Sequence, residues 1–233
     1  MRTNERTPEI DQRQPRPRRW SAALVLVVAA VSAAGCTGVV VGSGNLRTAT
    51  FDVRGFDRIS VSVDADLNVA RTGTESVAVS ADDNILPLLT VKVVDRTLRL
   101  GLDTATSISG HVVFTVTAKD LLGIESAGSG RVSATNIDAP AFETTMAGDS
   151  KVTLSGRSQS QNVEITGDGT YDGTHFPVRD ATVTVTGDGH AIVNASHTLR
   201  LETVGDSKVD YLGTPAVTQL GPGLVHRIGV GGA

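Results

Sequence analysis

Cysteine is almost absent from this sequence of 233 residues, in which Cys36 is the single example. One cysteine excludes an internal disulfide framework and any zinc or iron–sulfur site built from several cysteines. Val, Thr and Gly are each more frequent than leucine, which argues against a helical bundle. The strict glycine period of collagen is missing as well.

Positive charge is scarce beyond the first 35 residues. These 35 hold six arginines against three acidic residues, a net charge of +3, so the rest of the chain carries −7 within the total of −4. That remainder has four lysines and no basic run. Because binding to nucleic acid depends on clustered cations, we exclude nucleic acid as a partner.

No hydrophobic run is long enough to span a membrane. The run from Ala22 to Ala34 has 13 residues, too few to cross about 30 Å of hydrocarbon as a helix, but the length of the apolar part of a signal peptide. It follows several arginines and ends in small residues directly before Cys36, a pattern that resembles a bacterial lipobox. Such a cysteine is diacylated, and the peptide bond before it is cleaved.

This leader predicts an exported protein, attached to the membrane of the cell envelope through lipid on Cys36. We assign residues 1–35 to a lipoprotein signal peptide and 36–45 to the lipidated cysteine and a flexible tether. The alternatives are an ordinary secretory signal or an uncleaved anchor. The pair Arg18-Arg19 raises a twin-arginine export route, but Ser21 stands where that signal has an apolar residue, so we favour export of the unfolded chain.

The body of the chain is a repeat. A triplet that opens with glycine recurs five times, at spacings of 20, 19, 20 and 18 residues, starting at Gly128, Gly148, Gly167, Gly187 and Gly205. Apolar and polar residues alternate on both sides of each triplet, which is the period of a β-strand. A strand–turn–strand unit of this length is typical of a solenoid, in which each coil buries its inner face against its neighbours.

We therefore predict an all-β fold, a parallel β-helix-like solenoid with coils of about 18–20 residues. It forms a single domain over residues 46–233, with core repeats at about 120–215. A stack of antiparallel hairpins is the alternative, and the pattern does not encode the handedness of a solenoid.

The first half of this domain continues the same logic less regularly. Asp64-Ala65-Asp66 occupies the place of a triplet, and Asp82 to Pro87 predicts a capped helical turn or loop. The closing stretch from Gly221 to Ala233 predicts a final edge strand and a frayed tail. Further strands are predicted at Val77–Ser80, Thr90–Val94, Thr97–Leu102 and His111–Thr117.

Several segments together resemble the bacterial head GIN domain family, whose members are described as auto-transporter adhesins and often occur on lipoproteins. The resemblance implies a β-helix-like fold at the cell envelope and no catalytic residue that can be carried over. The segments are Gly42 to Phe51, Gly55 to Ile59, Ala81 to Pro87, the Gly-Asp-Gly coils and Gly213 to Gly229.

Four triplets place an aspartate second, so these carboxylates should form a column at one corner of the solenoid. Neighbouring coils lie about 4.8 Å apart, and a row of Ca²⁺ ions could offset the repulsion. The alternative is that each aspartate bonds the backbone of its own turn and faces water. The column comprises Asp149, Asp168, Asp188 and Asp206.

A catalytic function has little support in the sequence, which also implies no cofactor. Some β-helices cleave polysaccharides with paired carboxylates, and Asp168, Asp172 and Asp188 are the candidates for such a hydrolase or lyase. However, the chain past Cys36 has no tryptophan to form a sugar platform. The histidines lack metal-ligand spacing, and no nucleophile elbow is present; they are His111, His175, His190, His197 and His226.

Two rows of outward-facing residues offer a binding surface instead. The first comprises Glu125, Thr145, Glu164, Thr184 and Glu202, and the second comprises Arg131, Lys151, Thr170, His190 and Lys208. Such rows are how extended solenoids present a recognition face, although they could serve only to keep the sheet soluble. We predict a binding or structural module, adhesin-like and without catalytic activity, for an envelope protein or glycan.

Overall fold

A computed structural model describes residues 38–103 and 106–229 of the chain. Two compact units divide the sequence, Met1–Cys36 and Thr37–Ala233, and the described residues all belong to the second. The predicted signal peptide and the predicted lipidation site, Cys36, therefore lie outside the described residues. Within the described ranges no helix is long and apolar enough to cross a membrane.

The second unit is a single all-β domain, as predicted. Its described part contains one short 3₁₀ turn, Leu86–Leu88, which overlaps the helical turn predicted at Asp82 to Pro87. Its strands are β1 Val39–Val41, β2 Leu46–Phe51, β3 Arg58–Val61, β4 Asp66–Arg71, β5 Ser76–Asp82, β6 Leu89–Val94, β7 Thr97–Leu102, β8 Ser107–Ser109, β9 Val113–Ala118, β10 Gly123–Ala127, β11 Arg131–Ala147, β12 Lys151–Thr166, β13 Thr170–Thr186, β14 His190–Val204, β15 Lys208–Leu212, β16 Ala216–Leu220 and β17 Leu224–Arg227.

From β10 onward, each coil pairs in parallel with the coil before it, residue for residue on both sides of the triplet. Long strands such as β11, with 17 residues, run from one triplet to the next and bend where the register shifts, for example between Ala134 and Ile137. The result is a β-solenoid of about five turns. This confirms the predicted solenoid, and the alternative of stacked hairpins is wrong for the repeated part.

The triplets turn the chain because their first residue is glycine. Gly148, Gly167 and Gly187 have φ values of 96°, 111° and 117°, a region that other residues rarely enter. The stacking of coils adds a second reason. A Cβ on Gly167 would lie 2.9 Å from the carbonyl oxygen of Gly148, and one on Gly187 would lie 2.7 Å from that of Gly167.

The core lies between the two strand layers of each coil and consists of straight columns of buried side chains. One column before the triplets and one after them are buried throughout, as the alternation predicts. Stacking of β-branched and small residues fills this narrow space without many aromatic rings. The columns comprise Ile124, Thr144, Val163, Val183 and Leu201, and Val132, Val152, Tyr171, Ala191 and Val209.

The part of the domain before β10 mixes parallel and antiparallel pairing. β3 and β4 stack in parallel on β10 and β11, and the backbone N–H of Ser129 donates to Asp64 at 2.8 Å, so Asp64-Ala65-Asp66 does take the place of a triplet. In contrast, β2 with β5, β5 with β9 and β6 with β7 are antiparallel. The expectation that this part continues the solenoid less regularly therefore holds for β3 and β4 but is wrong for the antiparallel strands, although strands exist at all four predicted places.

The predicted tether is partly folded. Val39–Val41, inside the segment 36–45 that was predicted to be flexible, forms β1 and pairs in parallel with β8. The side-chain amide of Asn84 donates to the Val41 carbonyl at 2.8 Å, and the backbone N–H of Ser43 donates to Asn84 at 3.0 Å. The flexible-tether prediction is wrong for these residues because hydrogen bonds to a distant strand and a distant loop hold them.

At the other end, the predicted final edge strand is present as β17, which pairs only with β15 among the described strands. β16 similarly pairs only with β14. Large apolar side chains remain exposed on this last coil, including Val217, Leu220 and Leu224. The predicted frayed tail falls largely on residues 230–233, which lie outside the described ranges.

Candidate binding faces

The first predicted row lies just before the triplets and is termed the acidic ladder. Its members occupy matching register positions on five successive coils, as predicted: Glu125, Thr145, Glu164, Thr184 and Glu202. The glutamates are exposed, and the threonines between them are half-buried. Because threonine separates them, the carboxylates of successive glutamates are about 10 Å apart, twice the coil spacing. This halves the repulsion that adjacent glutamates would feel, to about 0.4 kcal/mol in water.

An ion pair flanks the acidic ladder. Arg58, Gly123 and Glu143 face one another on three neighbouring strands, and Arg58 Nη1 lies 2.6 Å from Glu143 Oε2. Gly123 leaves room for this contact, since a Cβ there would lie 2.9 Å from Arg58 Nη1 and the arginine would have to shift. Both charged side chains are about half exposed, so the pair is worth about 1 kcal/mol or less. The sequence analysis missed this pair, whose partners lie 85 residues apart.

A depression of about 200 Å³ beside this pair is lined by Glu125 and Glu143. Two carboxylates in one depression are what a polysaccharide-cleaving site would need. However, Arg58 engages Glu143, and the volume is below the roughly 300–1,000 Å³ of ligand pockets. The depression therefore suits a contact point on a surface better than a substrate cleft.

The second predicted row follows the triplets and is termed the basic ladder. Its members also occupy matching positions on successive coils, as predicted: Arg131, Lys151, Thr170, His190 and Lys208. Asp66 precedes Arg131 in the same row, and Leu224 follows Lys208. The lysines and Arg131 are exposed, so this row presents cations to solvent on an otherwise acidic body.

A parallel row of polar residues runs two positions further along each strand. Ser133, Thr153 and Asp172 are neighbours in this row. Between the two rows lies a depression of about 300 Å³ whose lining combines two cations with hydroxyl, amide and carboxylate groups. The cations, hydroxyls and amide can donate hydrogen bonds to an anionic ligand, and the carboxylate can accept them from a sugar hydroxyl. The lining groups belong to Asp66, Asn68, Arg131, Ser133, Lys151 and Thr153.

The far end of the basic ladder holds a buried carboxylate. Asp210 Oδ2 lies 2.8 Å from His190 Nε2 and 2.7 Å from Lys208 Nζ, while His226 Nδ1 is 4.0 Å from Asp210 Oδ1. Burial acts to raise the pKa of Asp210, but the hydrogen bonds from Lys208 and His190 and their charges lower it below its usual value. Asp210 therefore stays ionised and contacts polar side chains from three strands, His190, Lys208 and His226.

The four aspartates of the possible calcium column lie at the turns between coils. The aspartates of the triplets, Asp149, Asp168, Asp188 and Asp206, are all exposed at the turns. Within the described ranges no group of three or more His, Cys, Asp or Glu side chains could hold a metal ion. This arrangement favours the alternative, in which each aspartate serves its own turn and faces water.

The three carboxylates proposed for catalysis lie outside both depressions described above. Asp168 and Asp188 are exposed at turns, whereas Asp172 lies on the outer surface of β13, and none of them lines either depression described above. Partial burial acts to raise the pKa of Asp172, but hydrogen bonds from Thr174 and the charges of Lys151 and His175 lower it. A lowered pKa is the opposite of what a general acid requires.

The structure brings histidines to aspartates in a way that the sequence spacing did not predict. His197 Nδ1 lies 2.8 Å from Asp180 Oδ1, and Thr198 donates to the same oxygen at 2.6 Å. His111 Nε2 is 3.7 Å from Asp66 Oδ2. Together with the contact between His190 and Asp210, these contacts place three histidines each beside an aspartate.

Comparisons with known proteins agree with this architecture. The sequence profile of the family described as "Putative auto-transporter adhesin, head GIN domain" matches residues 55–215. A crystal structure titled "putative adhesin" from Bacteroides fragilis matches with a TM-score of 0.67 at 20% identity, over 81% of this chain and 100% of that chain. A comparison with curated proteins finds no match.

Two structures from Parabacteroides distasonis are also similar. One, titled "Putative lipid binding protein", has a TM-score of 0.55 at 16% identity, and the other, titled "putative adhesin", has 0.51 at 20%. Each covers 82% of this chain and 100% of its own. At these identities the likeness supports the fold. Since the family profile spans more than half of the sequence, the chain belongs to the head GIN domain family of adhesin-like proteins, whose β-solenoid supports a binding or structural role.

Proposed function

We propose that the protein is an exported lipoprotein, held at the cell envelope through lipid on Cys36, and that its β-solenoid binds a partner and catalyses no reaction. The basic ladder is the observation that carries the binding role. It sets exposed cations in a straight row along a body that carries −7 beyond residue 35. Rows of this kind give a solenoid an extended recognition surface.

The depression between Asp66 and Lys151 suggests the chemistry of the partner. Its two cations would pair with carboxylate or phosphate groups, and its hydroxyl and amide groups would bond to sugar hydroxyls or peptide groups. We therefore propose a glycan or protein of the envelope that carries negative charge. The likeness to proteins titled as adhesins supports a role in surface attachment.

The binding role is tested with a screen of acidic and neutral envelope polysaccharides and envelope proteins against the purified protein. The Arg131→Ala/Lys151→Ala variant should lose binding to acidic ligands, whereas the matched Glu125→Ala/Glu164→Ala variant should retain it. Equal loss in both variants would contradict the basic ladder as the binding face. Release of shortened product from any bound polysaccharide would instead support the hydrolase or lyase alternative.

The anchor is tested by mass spectrometry of the amino terminus and by membrane fractionation. Wild type should begin at an acylated Cys36 and sediment with membranes. Cys36→Ser should remain uncleaved or be shed, while the matched leader variant Ser32→Ala should behave as wild type. An unmodified amino terminus at or beyond Cys36 in the wild type would contradict lipidation.

A further inference from the structure

Very little chain separates the proposed lipid from the folded domain. Only Thr37 and Gly38 lie between Cys36 and β1, which begins at Val39. Three residues of extended chain span about 11 Å at most, whereas a flexible tether through Asn45 would have allowed about 35 Å. Because β1 is bonded to β8 and to Asn84, it cannot unwind to lengthen this link without losing those hydrogen bonds.

Exposed apolar side chains lie next to this link, beside the polar loop that contains Asp83 and Asn84. Val39 and Val41 point to the same side of β1, and their side chains are 59% and 67% exposed. Leu46, at the start of β2, is 62% exposed. Three large apolar side chains within eight residues are costly to leave in water, and they lie where the anchor brings the domain to the lipid.

We propose that this surface around β1 rests directly on the bilayer, with Val39, Val41 and Leu46 buried at the boundary between headgroups and acyl chains. The proposal rests on the lipidation of Cys36 proposed above. The short link and the apolar side chains act together, because the lipid keeps the domain at the surface and the side chains orient it. The solenoid then stands with its first coils on the membrane.

The opposite end of the solenoid lies too far from β1 to share this contact with the bilayer. It also exposes apolar side chains, such as Leu224, which is 61% exposed. Six parallel pairings separate β4 from β17, a distance of about 29 Å along the stack. The lipid anchor therefore places the β1 end of the solenoid at the bilayer and leaves the β17 end away from it.

Fluorescence quenching by brominated lipids measures this contact. The full chain carries a single tryptophan, Trp20, so a Trp20→Phe background leaves each introduced tryptophan as the only reporter. Val41→Trp and Leu46→Trp report on the β1 surface, and Leu224→Trp is the control of matched exposure. Each acylated protein is reconstituted into vesicles of phosphatidylcholine and phosphatidylglycerol with brominated acyl chains, after its melting temperature has been checked against wild type.

The expected result is strong quenching and a blue shift for both reporters at β1, and neither effect for Leu224→Trp. If the protein floats with the vesicles but both β1 reporters stay as unquenched as Leu224→Trp, the contact of β1 with the bilayer is refuted and the lipid anchor is retained. Protein that does not float would overturn the anchor and the contact together. The two failures are therefore distinguishable.

Discussion

The column of turn glycines supports a quantitative prediction about Gly167→Ala. Gly167 has a φ of 111°, and its Cβ would lie 2.9 Å from the Gly148 carbonyl oxygen and 3.2 Å from the Gly148 Cα and N. The conformation alone costs a non-glycine residue about 1–3 kcal/mol. Crowding against backbone, which cannot rotate away as a side chain can, adds about 1–3 kcal/mol. We therefore expect a loss in the free energy of unfolding of about 2–6 kcal/mol.

Gly73→Ala is the matched control for the conformational part of this loss. Gly73 also has a positive φ, 83°, but no heavy atom lies within 4 Å of the Cβ that would be added. Its substitution should cost only the backbone conformation, about 1–3 kcal/mol. The difference between the two variants isolates the contact between stacked coils.

Urea unfolding followed by far-ultraviolet circular dichroism gives both losses from the shift in midpoint. Equal losses for Gly167→Ala and Gly73→Ala would refute the contact with the Gly148 carbonyl. A Gly167→Ala protein as stable as wild type would refute the turn geometry itself, and with it the alignment of the coils.

Three further predictions concern the polar groups. Lys208 and His190 lower the folded-state pKa of Asp210, so the stability that Asp210 contributes is present above its unfolded pKa and is lost as the pH falls. Asp210→Asn should therefore destabilise the protein at pH 7. The difference in urea midpoint between this variant and wild type should shrink below about pH 4. A constant difference would contradict this. Tyr171→Phe removes the buried hydroxyl that accepts a hydrogen bond from Gln161 and should lower the free energy of unfolding by about 1–3 kcal/mol. Adding Gln161→Leu should restore part of this loss, because the amide no longer lacks its partner. A larger loss in the double variant would contradict the hydrogen bond. EDTA should leave the melting temperature unchanged, because no metal-holding group exists among the described residues, and a fall would reinstate the calcium column.

Parallel stacking explains why the repeated part could be predicted closely. When each coil pairs with the next in register, residues one repeat apart in sequence become neighbours in space. The spacing of the triplets alone therefore predicted the buried column from Ile124 to Leu201 and the basic ladder from Arg131 to Lys208.

The part before β10 could not be predicted in this way. Its alternating patterns locate strands, but alternation is the same for parallel and antiparallel neighbours, so the antiparallel pairing of β2, β5 and β6 was missed. The strand Val39–Val41 was missed because a short run of valines among glycines has no local sign of the partner, β8, that lies almost 70 residues away.

The sequence by itself determined the all-β class, the coil length, the turns and the rows of outward-facing side chains, because these follow from local alternation and a constant repeat. Only the tertiary structure decided which charges meet. Arg58 contacts Glu143 across Gly123, and Asp210 contacts His190 and Lys208. The sequence does not predict these contacts, because they depend on the direction of each side chain and on small neighbours that leave room. The tertiary structure also decided that Val39–Val41 forms a strand, since these residues are hydrogen-bonded to a distant strand and to the loop at Asn84.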